Sequence, residues 1–208
     1  MDLSTAERAR VLLMGGGIDA GTALSSDASA ALAQLLTGVS AACEGVMDRH
    51  AESGVSRTEY FDVYPGQRVF SLRAYPVASV TSVHFDPEQS FGSETALTVA
   101  TDYANPALDV NGFLILKTTL DAMTDYPLPR ALKVIYTGGM AASAAAFVTA
   151  FPDIAGAVDR QVIYEWKRRN DAGVVSVSDA SGTVTIPELH LLRATREVLA
   201  RHRRINVA

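Results

Sequence analysis

The sequence has 208 residues, 48% of them hydrophobic and 20% charged, which is typical of a globular protein rather than a disordered one. It contains no apolar run near the roughly 18 residues that a membrane span requires, and its first residues lack a signal-peptide pattern. The net charge of -5 combines -9 over residues 1–159 with +4 over residues 160–208, and this acidic balance disfavours a dedicated DNA-binding protein.

Two helices are predicted at the start of the chain. Residues 3–14 can form a short helix capped by Ser4 or Thr5. A longer helix is predicted over 27–50 with Ser26 or Asp27 as its N-cap, and its alanines would allow a neighbouring helix to approach closely. The apolar side chains of this helix recur at three- and four-residue spacing, which predicts one buried stripe: Leu32, Leu35, Leu36, Val39, Cys43, Val46 and Met47.

From Thr58 onwards the apolar residues alternate, which predicts strands instead of helices. Pro-Gly, Asn-Gly and Asp-Pro pairs separate the runs, as they do in antiparallel hairpins, and Pro65-Gly66 would turn the first run into the second. No helical pattern lies between the runs, so an antiparallel sheet is expected. The predicted strands are 60–64, 69–73, 80–85, 96–100, 113–117 and 131–137.

The helical period returns after Gly138-Gly139. Pro152 and Asp153 suit the first turn of a third helix, and Asn170 would end it. Its predicted apolar stripe is Ile154, Val158, Val162 and Trp166. Residues 174–186 could be either a flexible loop or a small hairpin. A capping box at Thr185 and Glu188 then predicts the start of a last helix that ends near Arg204.

These elements predict an α+β fold: a bundle of about four helices with an antiparallel β insertion between the second and third helices. The corresponding regions are the N-terminal helices at 1–57, the β insertion at 58–137, and the C-terminal helices with a basic tail at 138–208. We expect them to form one structural unit overall.

The sequence carries no strong signal for catalysis. The four histidines are scattered, and no Cys/His cluster has the spacing of metal ligands. His84 and Asp86 could share a strand face, but no serine or cysteine near them has the context of a nucleophile. Cys43, the single cysteine, lies on the apolar stripe of a helix and is expected to be buried. We therefore expect no catalytic residue, no metal and no cofactor, and synthesis in a reducing cytoplasm.

The order of several segments resembles the connector, or adaptor, family of tailed bacteriophages, whose members bind beneath the portal vertex. The alanine-rich helix LAQLLTGVSAACEGVMDRHAE precedes the strand region EYFDVYPGQRVFSLRAYPVASVTSVHFD, in which Pro76, Val77, Val80 and Val83 match a recurring family stretch. LKVIYTGG is similar to the family's strand ending, and FPDI then opens a helix that contains a tryptophan and basic residues. The final LHLLRATREVLARHRRI fits the family's last helix. The resemblance spans most of residues 25–205.

The resemblance implies a structural virion protein of the neck, made in the host cytoplasm. Such a protein forms a homo-oligomeric ring, usually a dodecamer, beneath the portal protein and offers a docking site to a stopper or tail protein. Double-stranded DNA passes through the ring without specific binding, and no membrane is involved. A tail-completion or baseplate component is the alternative, and a small-ligand enzyme is the third possibility.

The basic C-terminal segment is the predicted portal-docking site. Arginine forms bidentate pairs with carboxylates across an interface, and the helix dipole explains only one or two arginines in a last turn. The proposed docking residues are Arg196, Arg201, Arg203, Arg204, Ile205 and Val207. Removal of residues 201–208 is expected to leave the folded core near its normal stability.

Overall fold

A computed structural model of the chain describes residues 1–13, 24–105, 111–117, 126–169, 176–179, 182–185 and 191–204. The chain forms two compact units, each built from segments distant in sequence. Unit 1 comprises Met1–Met47 and Ala144–His202, and unit 2 comprises Asp48–Ser143 and Arg203–Ala208. Unit 1 holds the helices and unit 2 holds the main sheet, so the observed fold confirms the predicted α+β class.

Five α-helices lie in the described part of unit 1: α1 (Ala6–Leu13), α2 (Ser26–Met47), α3 (Ala144–Ala150), α4 (Pro152–Lys167) and α5 (Arg193–Arg201). Helix α4 contacts each of the other four. The buried side of α2 includes Leu32, Leu36, Val39, Cys43 and Met47, as its stripe predicts. Among the described helices, only α2 is long and apolar enough to cross a membrane, which is also common in core helices.

The ends of the first two helices follow from local hydrogen bonds. Thr5 caps α1 by accepting a bond from the Arg8 amide at 3.2 Å, which confirms one of the two predicted caps. Ser25 rather than Ser26 or Asp27 caps α2, because its hydroxyl accepts the Ala28 amide at 3.2 Å. The prediction that α2 reaches residue 50 is wrong. Asp48 has a φ of 51° directly after the last helical residue, so the chain leaves the helix there.

The described part of unit 2 contains a four-stranded antiparallel sheet in the order β1-β6-β3-β4 and a separate pair, β2-β5. The strands are β1 (Ser56–Val63), β2 (Val69–Ser71), β3 (Val77–Phe85), β4 (Ala96–Leu97), β5 (Phe113–Ile115) and β6 (Leu128–Gly138). The predicted hairpin across Pro65-Gly66 is wrong, because β1 pairs with β6 while β2 pairs with β5. The strands of both sheets contribute to one apolar core, in which Phe70, Leu114, Leu132, Val134 and Tyr136 are buried.

Close backbone approach requires both glycines at the end of β6. A Cβ atom on Gly138 would lie 2.1 Å from the Ala74 carbonyl oxygen. Gly139 has a φ of 140°, and a Cβ there would lie 2.4 Å from the Glu52 carbonyl oxygen. The pair therefore forms the turn out of the sheet that the sequence predicts, and the following alanine-rich stretch contains α3.

The segment before the last helix is a hairpin. Strands β7 (Ser176–Asp179) and β8 (Gly182–Thr185) pair in antiparallel register, which settles the choice that the sequence left open. The predicted capping box is wrong, since Thr185 pairs with Ser176 in the hairpin and α5 begins only at Arg193. Strand pairing therefore takes precedence over the local capping pattern. Asn170, Glu188, Leu189 and His190 lie outside the described residues.

Candidate docking site

Two buried polar side chains on α4 form hydrogen bonds with the residues around α1 and at the start of α5. The Asp159 carboxylate is 1% exposed, and it accepts hydrogen bonds from Ser4 and Arg8, each at 2.5 Å. On the other side, the Gln161 side-chain carbonyl accepts the Leu192 amide at 2.8 Å. These bonds align α1 and α5 on α4, because a buried polar side chain is stable only where it finds its partners.

The C-terminal end of α5 is fixed to the start of α4. His202 Nε2 lies 2.7 Å from an Asp153 carboxylate oxygen, and the His202 ring packs edge-on against Phe151. Although burial opposes it, the hydrogen bond with His202 lowers the pKa of the Asp153 carboxyl. The orientation of α5 is thus set at both of its ends.

The six predicted docking residues fall into three groups. Arg196 and Arg201 are exposed on α5, and Arg203 is exposed just beyond it. Arg204 is only 15% exposed and is used inside unit 2. Ile205 and Val207 lie outside the described residues.

Arg204 ties the segment after α5 to the rest of unit 2. Its guanidinium forms two contacts with an Asp48 carboxylate oxygen, at 2.8 Å and 2.6 Å, and donates to the Ser71 carbonyl at 2.6 Å. Asp48 also lies 2.9 Å from Arg73. Removing residues 201–208 would remove the Arg204 side chain and these contacts, so we now expect that truncation to lower the stability of unit 2.

Replacing Arg204 with alanine should lower the free energy of unfolding by about 2 kcal/mol, because charge-assisted bonds to Asp48 and Ser71 are lost from a mostly buried position. Denaturant unfolding followed by circular dichroism measures the change. Arg203→Ala is the matched control, since Arg203 is an exposed neighbour and its loss should leave the midpoint unchanged. Equal midpoints for the two variants would contradict a structural role of Arg204.

A cluster of aromatic and basic residues at the end of α4 departs from the predicted stripe. Ile154 and Val158 are buried as expected, but Trp166 is only partly buried. The Arg169 guanidinium lies 4.3 Å from the centre of the Trp166 ring, and that of Arg168 lies 5.2 Å from the Tyr164 ring. The adjacent basic residues were the only sequence signal for this arrangement.

His84 and Asp86, which the sequence analysis considered as possible catalytic groups, form hydrogen bonds with neighbouring residues of unit 2. The His84 ring lies 3.3 Å from the Gly92 carbonyl and 3.4 Å from the Thr95 hydroxyl. Asp86 accepts the Phe91 amide and the Ser90 hydroxyl, both at 2.7 Å; the Ser90 bond and then the Phe91 bond lower the pKa of the Asp86 carboxyl. Across the described ranges no three His, Cys, Asp or Glu side chains are grouped so that they could hold a metal ion.

Cys43 should not react with thiol reagents while the protein is folded. It is fully buried, and burial followed by the charge of Glu165 raises the pKa of its thiol to about 12. Ellman's reagent at pH 8 should therefore give no colour with the native chain and one equivalent after denaturation in guanidinium. Rapid labelling of the native chain would show that α2 does not pack as described.

The fold is similar to that of chains from phage-like particles. One is in the neck of an empty gene transfer agent (GTA) particle computed with C6 symmetry: 20% identity, TM-score 0.60, covering 98% of this chain and 90% of that one. A chain of the virion of a native GTA particle has 20% identity, TM-score 0.58 and the same coverage. A third, in the neck of a native GTA particle computed with C12 symmetry, has 19% identity, TM-score 0.53 and coverage of 100% and 96%. No protein-family model and no curated protein sequence matches the chain.

Proposed function

We propose that the chain is a structural, non-enzymatic component of the neck of a tailed phage or phage-like particle, and specifically its head–tail adaptor. The observation that carries the proposal is the fold match over 98–100% of the chain to proteins of particle necks and virions. The adaptor would form a ring beneath the portal around the DNA channel and would bind the stopper or tail protein on its other side.

A ring agrees with the size and charge of the chain. A 208-residue protein has a radius of gyration of about 17 Å, so one copy cannot enclose a DNA duplex and several copies are needed. The net charge of -5 allows DNA to pass without being held, because binding depends on neutralising phosphates. The neck neighbours computed with C6 and C12 symmetry support a closed ring of copies.

The portal-docking proposal now rests on fewer arginines. Arg196, Arg201 and Arg203 are exposed and can pair with carboxylates of a partner, whereas the Arg204 guanidinium is already bound to Asp48. Ile205 and Val207 remain proposed apolar contacts. Arg204 would then position the end of the chain, and the exposed arginines would bind the portal protein.

The direct test is to mix the purified chain with the portal protein encoded in the same genome and to image the particles by electron microscopy. A ring seated on the portal is expected, even if the chain alone is monomeric in light scattering. A chain that ignores the portal but joins purified tails would instead be a tail-completion or baseplate component.

Reversing the charge of Arg201 and Arg203 together should abolish attachment to portal-bearing heads. Losing a central arginine contact can cost about 2 kcal/mol per copy, and the loss is repeated around the ring. Arg160→Glu is the control, because Arg160 is also exposed but lies on α4. Co-sedimentation with portal-bearing heads measures attachment. Normal attachment of the double variant would show that these arginines are only a solvated chain end.

A further inference from the structure

The four-stranded sheet has two open edges. β1 pairs with β6 on one side only, and no other strand of the described residues pairs with its eight residues. β3 pairs with β4 only at Val83 and His84, so residues 77–82 have a strand partner on the β6 side alone. Each open edge presents a row of backbone N–H and C=O groups that can pair with another strand.

A groove follows the open edge of β3. Its volume is about 490 Å³, and its two sides are residues 78–82 of β3 and a wall that includes Leu97, Val99 and Tyr103. Ala78 and Thr81 are the extra residues of two bulges in β3, and both line the groove. Residues 77–82 extend about 20 Å, which is the length over which an added strand could pair with them.

β1 lacks two of the features that protect an exposed edge, since its eight residues contain neither lysine nor proline. Its three charged residues, Arg57, Glu59 and Asp62, each have a hydrogen-bond partner within unit 2. Large apolar side chains are exposed along it and at its ends: Val55 is 40% exposed, Tyr60 40% and Tyr64 52%.

We propose that β1 of one copy adds to the open edge of β3 in the next copy and lies in this groove, so that the sheet continues around the ring. The inference rests on the proposed neck function, because a ring closed by rotation requires two different surfaces that complement each other on every copy. The two open edges of one sheet meet that requirement.

Strand direction agrees with this arrangement. β1 and β3 both run antiparallel to β6, so they run parallel to each other. A rotation of about 30°, as in a twelve-membered ring, leaves the direction of a strand nearly unchanged. The incoming β1 would therefore pair in parallel with residues 77–82, ahead of the point where β4 begins to pair.

The test places lysines on each edge separately. Thr58 on β1 and Thr81 on β3 are exposed, so Thr58→Lys and Thr81→Lys each block one edge without entering the core. Thr149→Lys on α3 is the matched control, because Thr149 is also exposed. Circular dichroism first verifies that every variant is folded. Rings formed with the portal protein are then counted by electron microscopy.

We expect each single variant to reduce the ring fraction by at least about tenfold, and Thr149→Lys to leave it unchanged. A mixture of the two single variants should give pairs but no rings, because only one type of contact remains intact. The double variant Thr58→Lys with Thr81→Lys should form no rings either.

Other outcomes overturn the inference in distinguishable ways. Normal rings from both single variants would disprove strand addition and leave the adaptor function intact. Normal rings that no longer join tails would assign the edge to a different protein. If the unaltered chain forms no ring with the portal, the proposed function fails together with this inference.

Discussion

Replacing Arg8 with alanine should lower the free energy of unfolding by about 3 kcal/mol, although Arg8 is on a short helix near the start of the chain. The substitution leaves the Asp159 carboxylate buried with Ser4 as its remaining hydrogen-bond partner. An uncompensated buried charge costs several kcal/mol, much more than the loss of an exposed pair. Denaturant unfolding monitored by circular dichroism at 222 nm, a wavelength that reports helix, measures the effect.

Two further variants test the cause. Asp159→Asn should cost less, about 1 kcal/mol, because it removes the charge itself and the Arg8 side chain, 38% exposed, can turn to water. Arg193→Ala should leave the midpoint unchanged, since both side chains of the Arg193–Glu197 pair are largely exposed, at 88% and 59%. Equal losses for Arg8→Ala and Asp159→Asn would show that packing, rather than the buried charge, fixes α1.

Tyr136→Phe should lower the free energy of unfolding by about 2 kcal/mol through the loss of one oxygen atom. Tyr136 is fully buried; its hydroxyl accepts the Ala74 amide at 2.9 Å and donates to the Glu59 carboxylate. Without it, both groups lose a partner inside the protein. The matched control is Tyr64→Phe, because Tyr64 is 52% exposed and its hydroxyl can bond to water.

Tyr136 should also make the free energy of unfolding depend on pH in the alkaline range. Burial and then the charge of Glu59 raise the pKa of Tyr136 well above its usual value. The hydroxyl therefore stays neutral in the folded chain, while in the unfolded chain it ionises near pH 10. The contribution of Tyr136 to the free energy of unfolding is complete below about pH 10 and declines above it. Above about pH 10, the free energy of unfolding of the Tyr136→Phe variant should therefore fall less steeply with pH than that of the unaltered chain. Parallel pH profiles would contradict this.

The helices were the easiest elements to predict, because their apolar side chains repeat within one segment. The stripe of α2 and the turn at Gly138-Gly139 were found from the sequence. The end of α2 was not, since Asp48 already takes a left-handed conformation directly after the helix, six residues before Gly54, which does so as well. The start of α5 was missed because Thr185 belongs to a strand pair that a local pattern cannot reveal.

Strand partners were harder to predict than strands. The alternation around Tyr60 indicates a strand, but β1 pairs with β6, more than 60 residues later, as Tyr60 opposite Lys133 shows. The Pro65-Gly66 turn suggested a hairpin that does not form. Pairing over such distances depends on which faces can be buried together, and period-two patterns on separate strands are alike in this respect.

The positions of arginines in the sequence do not show which of them are bonded within the chain and which are exposed to a partner. Four arginines near the C-terminus have the same predicted role, yet Arg204 is bound to Asp48, which lies 156 residues earlier. No spacing rule connects these two positions. The network of Asp48 with Arg73 and Arg204 was likewise missed, because it joins residues from three distant segments.

The segment 48–143 begins and ends in one place. Near its start, Ala51 accepts bonds from the amides of Met140 at 2.8 Å and Ala141 at 3.0 Å, and the Ser53 amide donates back to Ala141 at 2.9 Å. A segment whose ends are held side by side can be exchanged without stretching the remaining chain. Segment 48–143 is therefore a closed insertion, and any replacement for it would also have to supply the partners that Asp48 and Ser71 give to Arg204.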